Sequence, residues 1–212
     1  MEKTELLALC VIVAVISFLG FAVEDIWLSI TKGYMDNRNM YFPFLFGYGL
    51  AVIVLWRLFG TPQDLMLCTI PLAIRSPLAR KVLYVLFIMT CICIGEILLK
   101  TLMEKLCHFQ WWDFSRLPLH ITQYTSIPTS AAFSLMIGVF MDNAFEPILR
   151  NILTWDYEVL RLVAAILMAI MIGDFVHSGY YMYRNKQMLM TWKIDTTRTP
   201  GYRLLHPESA DK

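Results

Sequence analysis

Hydrophobic and polar residues alternate along this chain in long blocks, not at a two- or three-residue period. Five apolar blocks stand out, near Leu6–Ile30, Tyr41–Leu58, Val82–Leu106, Thr125–Phe140 and Val159–Phe175. An α-helix rises 1.5 Å per residue, so roughly 20 apolar residues cross a hydrocarbon core of about 30 Å. Each block is near that length. The pattern predicts an all-α integral membrane protein, a bundle of five transmembrane helices. Residues 60–81 break the pattern: Leu65–Ile74 is too short to cross, and Pro62, Pro71 and Pro77 interrupt it. This stretch is expected to be interfacial or re-entrant. Residues 143–158 read as an amphipathic connection. Residues 1–180 then form a single transmembrane domain, and 181–212 an interfacial, flexible tail.

Composition reinforces the pattern. Hydrophobic residues make up 58% of the 212 residues and charged ones 17%, with a mean hydropathy of +0.55. A water-soluble domain of this size needs a more polar surface. The first block is longer than a signal-peptide core, and no A-x-A site follows it, so it is read as a retained span. The net charge of +1 gives no basis for nucleic-acid binding. There is no G-x-x-x-x-G-K-[ST] phosphate loop, so ATP hydrolysis would fall to a partner. The five cysteines are scattered and lack a C-x-x-C pair. They read as small buried hydrophobes.

Five crossings would bring the unusual polar residues to one membrane face. Spans one, three and five end there, carrying Glu24 and Asp25, Glu96 and Lys100, and Asp174 and His177. Asn37 and Arg38, the Gly47-Tyr48-Gly49 entry to span two, the loop with Trp111, Trp112, Asp113 and His120, and the hydroxyls opening span four share it. Charges at membrane depth cost about 2.5–3.5 kcal/mol even on lenient scales. They persist where they pair, snorkel or face a wet cavity. Glu96 and Lys100 are spaced to pair on one helix face, and Asp174 and His177 could satisfy one another. Taken together, the residues suggest a polar pocket lined by Glu24, Asn37, Arg38, Tyr48, Glu96, Trp112, Asp113, His120, Asp174 and His177.

Several of these residues stand in an order that resembles the CmpB-like family of ABC-transporter type IV permeases. Ser17-Phe18-Leu19-Gly20-Phe21 with Glu24, then Asn37-Arg38, Pro43 and Gly47-Tyr48-Gly49 follow its first half. Glu96, Met103-Glu104-Lys105 and Trp111-Trp112-Asp113-Phe114-Ser115 follow its third span and the loop after it, and Asp174 its last span. Asn39 stands where the family has Gly, and His120 where it has Asn. The resemblance covers about residues 15–176 and marks a divergent member. It implies a permease-like membrane component, built as a homo- or hetero-oligomer, with a partner ATPase or other membrane subunit and membrane lipids around it. The four acids favour a small cationic or polar solute.

Two other readings stay open. One is a non-catalytic binding or assembly subunit for lipid or a partner protein. The other is an intramembrane metal-dependent enzyme using Glu96, His120, Asp174 and His177, although no H-x-x-x-H or H-E-x-x-H spacing occurs. Cofactor and catalytic residues are not readable, no metal ligand set is assigned, and an enzyme is the less favoured class. The absence of eukaryotic targeting signals fits a multi-pass protein of a bacterial plasma membrane. The charge balance leans towards a cytoplasmic motif face and tail.

Overall fold

The computed structural model describes residues 3–68, 70–109, 112–115 and 117–206. In chain order the elements are α1 (Lys3–Lys32), β1 (Tyr34–Asp36), α2 (Phe46–Phe59), β2 (Met66–Leu67), β3 (Ile70–Pro71), α3 (Pro77–Cys107), β4 (His120–Thr122), β5 (Thr125–Ser126), α4 (Ile127–Asn143), α5 (Phe145–Leu153), α6 (Tyr157–Asn185), β6 (Lys193–Asp195) and α7 (Pro200–Leu205). Helix dominates. The strands form three two-stranded antiparallel pairs, β1–β6, β2–β3 and β4–β5.

Among the described residues, α1, α3 and α6 are long and apolar enough to cross a membrane. Only 11% of the most apolar stretch of α3 is buried inside protein, and 22% of that of α6. Leucines and isoleucines such as Leu86, Ile94, Leu98, Leu162 and Ile166 face outward, an arrangement that water would penalise and lipid would not.

The sequence led us to expect five such helices, and the remaining two spans differ from that expectation. Helices α4 and α5 meet at a 47° bend and together make at most one further span. Pro147 explains the bend: it lacks an N–H, and its ring crowds the carbonyl four residues back, at Asn143. Beyond the bend, α5 buries Phe145, Leu149 and Ile152 on one stripe. Helix α2 has 14 residues, about 21 Å of helix. Pro43 keeps the preceding residues out of the helix, and Tyr41–Leu45 run non-helically into it. The interrupted stretch at 60–81 forms the β2–β3 hairpin, with Met66 opposite Pro71 and Leu67 opposite Ile70. Ser76 caps α3, whose first residue is Pro77.

Packing divides the chain into two compact units. The first holds Met1–Leu50 and Tyr157–Lys212. Its core is the face of α1 that carries Ala8, Leu9, Ile12, Val13 and Ile16. From α6 it buries Leu160, Ala164, Met171, Asp174, Ser178 and Met182. Ala164, Met171 and Ser178 are seven residues apart, a coiled-coil-like seam of largely small side chains. β1 pairs with β6 in the register Tyr34–Asp195, Met35–Ile194 and Asp36–Lys193. Part of the expected tail is therefore folded back: the Thr196 N–H donates to the Gly33 carbonyl at 2.8 Å, and the Thr196 hydroxyl to the Ser29 carbonyl at 3.2 Å. Gly33 has φ +74°, and a side chain there would meet Thr197 and Tyr202.

The second unit is Ala51–Asp156. Here α3 packs along α4, burying Tyr84 and Ile88 from α3 and Ser130, Ser134, Gly138 and Met141 from α4. At the far end of α4, Asp142 gathers Lys81 at 2.6 Å and the Gln63 amide at 2.6 Å.

Glycine decides one close approach. A Cβ on Gly49 would collide with the Val13 carbonyl and the Ser17 hydroxyl, whereas one on Gly47 would meet nothing. Gly49→Ala should therefore overpack the contact between α1 and α2, costing about 1–3 kcal/mol. Gly47→Ala should be neutral or stabilising, by about 0.5–1 kcal/mol. Thermal unfolding of the two variants in nanodiscs checks this contrast.

Candidate functional site

The ten residues singled out from sequence fall into two groups, one in each unit. Glu24, Asn37, Arg38, Tyr48, Asp174 and His177 belong to the first, and Glu96, Trp112, Asp113 and His120 to the second. Trp111 lies outside the described residues.

In the first unit the turn after α1 sets the geometry. Arg38 and Asn39 have φ +47° and +62°. That left-handed backbone is easiest for Gly, with Asn the next most tolerant residue, so Asn39 can stand at a position where the resemblance expects Gly. The turn directs Arg38 back onto α1. Its Nε donates to Glu24 Oε2 at 2.6 Å, and the guanidinium closes an ion pair with the same carboxylate. The Tyr48 hydroxyl donates to Glu24 Oε1. Asp36 accepts from the Arg38 N–H at 2.8 Å, and its own N–H donates to Asp25 Oδ1 at 3.2 Å. Burial alone would favour a neutral Arg38, but the charges of Glu24 and Asp36 outweigh it and hold the guanidinium above its ordinary range. Arg38 is thus a fixed cation.

Asn37 is buried and holds two segments together. Its amide donates to the carbonyls of Met40 at 2.8 Å and Leu189 at 3.0 Å, and its oxygen accepts from the Thr191 N–H at 3.0 Å. Asp174 plays a matching part for the lead into α2. Oδ1 accepts from the Tyr41 N–H at 3.0 Å, Oδ2 from the Phe42 N–H at 2.8 Å, and the Ser178 hydroxyl adds a bond of 2.9 Å to Oδ1. His177 stacks on Tyr41, with ring centres 5.1 Å apart and planes 13° from parallel. Asp174 therefore seals backbone donors, and His177 packs on the segment that Asp174 holds.

In the second unit the polar groups converge on the last turns of α3. Glu96 accepts from the Ser130 hydroxyl at 3.2 Å, and Ser130 is bonded in turn to the Thr125 hydroxyl at 3.0 Å. One turn on, Lys100 is 0% exposed. Its ammonium donates to the Gln123 carbonyl at 3.4 Å. It also lies over the rings of Tyr124 and Trp112, 4.8 and 5.4 Å from their centres. The Tyr124 hydroxyl donates to Glu104 Oε2 at 2.7 Å, a bond that raises the phenol above its ordinary range. The Trp112 indole N–H donates to the Tyr124 carbonyl at 3.0 Å. Asp113 caps its own turn, accepting from the Ser115 N–H at 2.8 Å. His120 is exposed in β4, with Nδ1 3.0 Å from the Leu117 carbonyl.

The sequence places Lys100 beside Glu96, the hydroxyls opening span four on the same face and Glu104 in a motif, but Lys100, Tyr124, Ser130 and Glu104 are not among the ten residues it singles out. A lysine inside an apolar block was the available signal. No group of three or more His, Cys, Asp or Glu among the described residues is arranged to hold a metal ion.

The model of the CmpB family, described as "Putative ABC-transporter type IV", matches residues 11–179. The chain belongs to that family. Comparisons with curated proteins and with solved structures each returned no match. As a CmpB-family protein with three helices able to span a bilayer, the chain is a membrane component of ABC-transporter type. The matched region takes in the Glu24–Arg38–Tyr48 group, the Asp174 bonds and the Lys100 surroundings, while Leu189–Thr191, which Asn37 holds, lie beyond it.

Asn37→Ala should strand the Leu189 carbonyl and the Thr191 N–H. A buried group left unmatched costs about 1–3 kcal/mol. Faster amide exchange confined to residues 189–196, with α3 unchanged, is the expected result by hydrogen–deuterium exchange mass spectrometry.

Proposed function

We propose that this chain is the membrane-embedded part of a transport assembly for a small cationic or polar solute, and that the solute is received near Glu96 and Lys100. One observation carries this reading: a lysine shielded from solvent inside a span-length helix, beneath two aromatic rings and beside carboxylates. Ionisable groups at membrane depth are costly and concentrate on substrate and ion pathways. The chain lacks a phosphate loop, so energy would come from a partner ATPase, and its few helices call for an oligomer or further subunits. Five crossings remain the proposed count. The non-helical lead Tyr41–Leu45 at about 3.3 Å per residue, added to α2, supplies enough length for one, and the bent α4–α5 pair supplies another. Residues 1–180 then act as one membrane domain, with 181–212 at the interface of a bacterial plasma membrane, where Tyr183, Lys186 and Trp192 suit the headgroup layer.

The second reading, a non-catalytic binding or assembly subunit, is favoured by a different observation. Glu24, Arg38, Asn37 and Asp174 spend their hydrogen bonds within the chain, as structural ties do.

Reconstitution separates the two. Proteoliposomes holding this chain with its co-purifying subunits and ATP should take up at least one member of a panel of labelled small cations and polyols. Glu96→Gln should lower that uptake at least tenfold at equal incorporation. Co-purifying subunits with no uptake of any panel member would favour the assembly reading.

A further inference from the structure

We propose that the Tyr124–Trp112 cage is a receptor for organic ammonium ions and that Lys100 is its tethered resident. The inference rests on the reading of a cationic solute near Glu96 and names its chemistry. Aromatic faces attract cations within about 6 Å of the ring centre, and paired aromatic rings are a general way to recognise alkylated ammonium groups. Both rings meet that distance. They are also held in place beforehand, Tyr124 by Glu104 and Trp112 by the Tyr124 carbonyl, so a guest pays little to order them. Three carboxylates, Glu104, Asp113 and Glu96, act electrostatically on this ammonium, so a cation in the cage stands in a negative field.

The hydrogen bond of the resident to the Gln123 carbonyl is long, at 3.4 Å, and its ammonium hangs on a flexible four-carbon stem. A diffusing ammonium ion whose substituents bury more of the ring faces than a primary amine can would displace Lys100 and take the same negative field. Lys100 is then a built-in competitor. The apparent affinity for a guest falls by the fraction of time the cage stands open, and a resident in place 99% of the time weakens binding about a hundredfold.

The test uses the full chain in nanodiscs, tetramethylammonium as probe and tert-butanol as a neutral mimic of similar size. Lys100→Met removes the competing charge and keeps most of the stem. It should bind tetramethylammonium at least tenfold more tightly than the wild type by calorimetry, with no response to tert-butanol. Adding Trp112→Leu should lower that affinity at least tenfold. Equal affinities in wild type and Lys100→Met, or equal responses to the two probes, would overturn the proposal.

The wild type gives an independent reading that does not depend on how Lys100→Met folds. Saturating tetramethylammonium should expose the Lys100 amine and raise its rate of reductive methylation at least threefold, read by peptide mass spectrometry. An unchanged rate would also overturn the proposal. Both measurements are made at equilibrium, without ATP or a gradient. Tight ammonium binding with no uptake would sink the transport reading alone, and uptake with neither effect would sink this proposal alone.

Discussion

Hydrocarbon offers no hydrogen bonds, so every polar group that this chain carries into its apolar helices must be answered by another part of the chain. Asp174 is the clearest case. The lead into α2 cannot be helical because of Pro43, which leaves backbone N–H groups at Tyr41 and Phe42 without helical partners. A carboxylate from α6 accepts both. The Asp174 bonds thus hold the proline-broken lead beside α6, where Phe46 meets Phe175 and Gly49 comes close to Val13 of α1. Glu24 follows the same logic: Arg38 and Tyr48 occupy its two oxygens, and the turn that brings Arg38 back depends on two left-handed residues.

The second unit answers the constraint differently. Lys100 could have been matched by one carboxylate at ion-pair distance. It rests instead against two aromatic faces and a carbonyl, with acids around it. Removing a buried charge from its partner costs several kcal/mol, so such an arrangement is stable only when the surroundings are themselves anchored. The bonds from Tyr124 to Glu104 and from Trp112 to the Tyr124 carbonyl provide that anchorage. Glu96, Ser130 and Thr125 extend it to the start of α4. The first unit spends its polar groups on holding segments together, whereas the second holds a cation against a face that cations in general prefer. That contrast is why the functional proposals centre on Lys100.

Block length made α1, α3 and α6 legible in the sequence, because an apolar run of about 17 to 25 residues has few alternatives to a spanning helix. Their observed ends fall within a few residues of the blocks at most ends, α6 running further, to Asn185. Span two was legible as apolar, but not as a short helix with a non-helical lead, since the partner that makes the lead tolerable is Asp174, more than a hundred residues away. Pro147 was visible, yet whether it begins a new helix or bends an old one depends on packing at Phe145. The β1–β6 pairing joins the two ends of the chain and leaves no local period to detect. For the candidate site, residue types were legible and partners were not. The i, i+4 spacing of Glu96 and Lys100 suggested a pair, while the structure turns the ammonium towards Gln123, Tyr124 and Trp112. Asn37 looked like a ligand group because it is polar in a motif, and its bonds to Leu189 and Thr191 could not be foreseen from spacing.

Polar groups among the apolar helices are answered from within the chain only if their donors are bonded there and not open to exchange. Residue-resolved hydrogen–deuterium exchange of the wild-type protein in nanodiscs measures this at the Tyr41 and Phe42 amides, which lie outside any helix. Protection comparable to that of the α6 interior is the predicted result, because Asp174 takes both donors. Exchange at the rate of an open loop would contradict it.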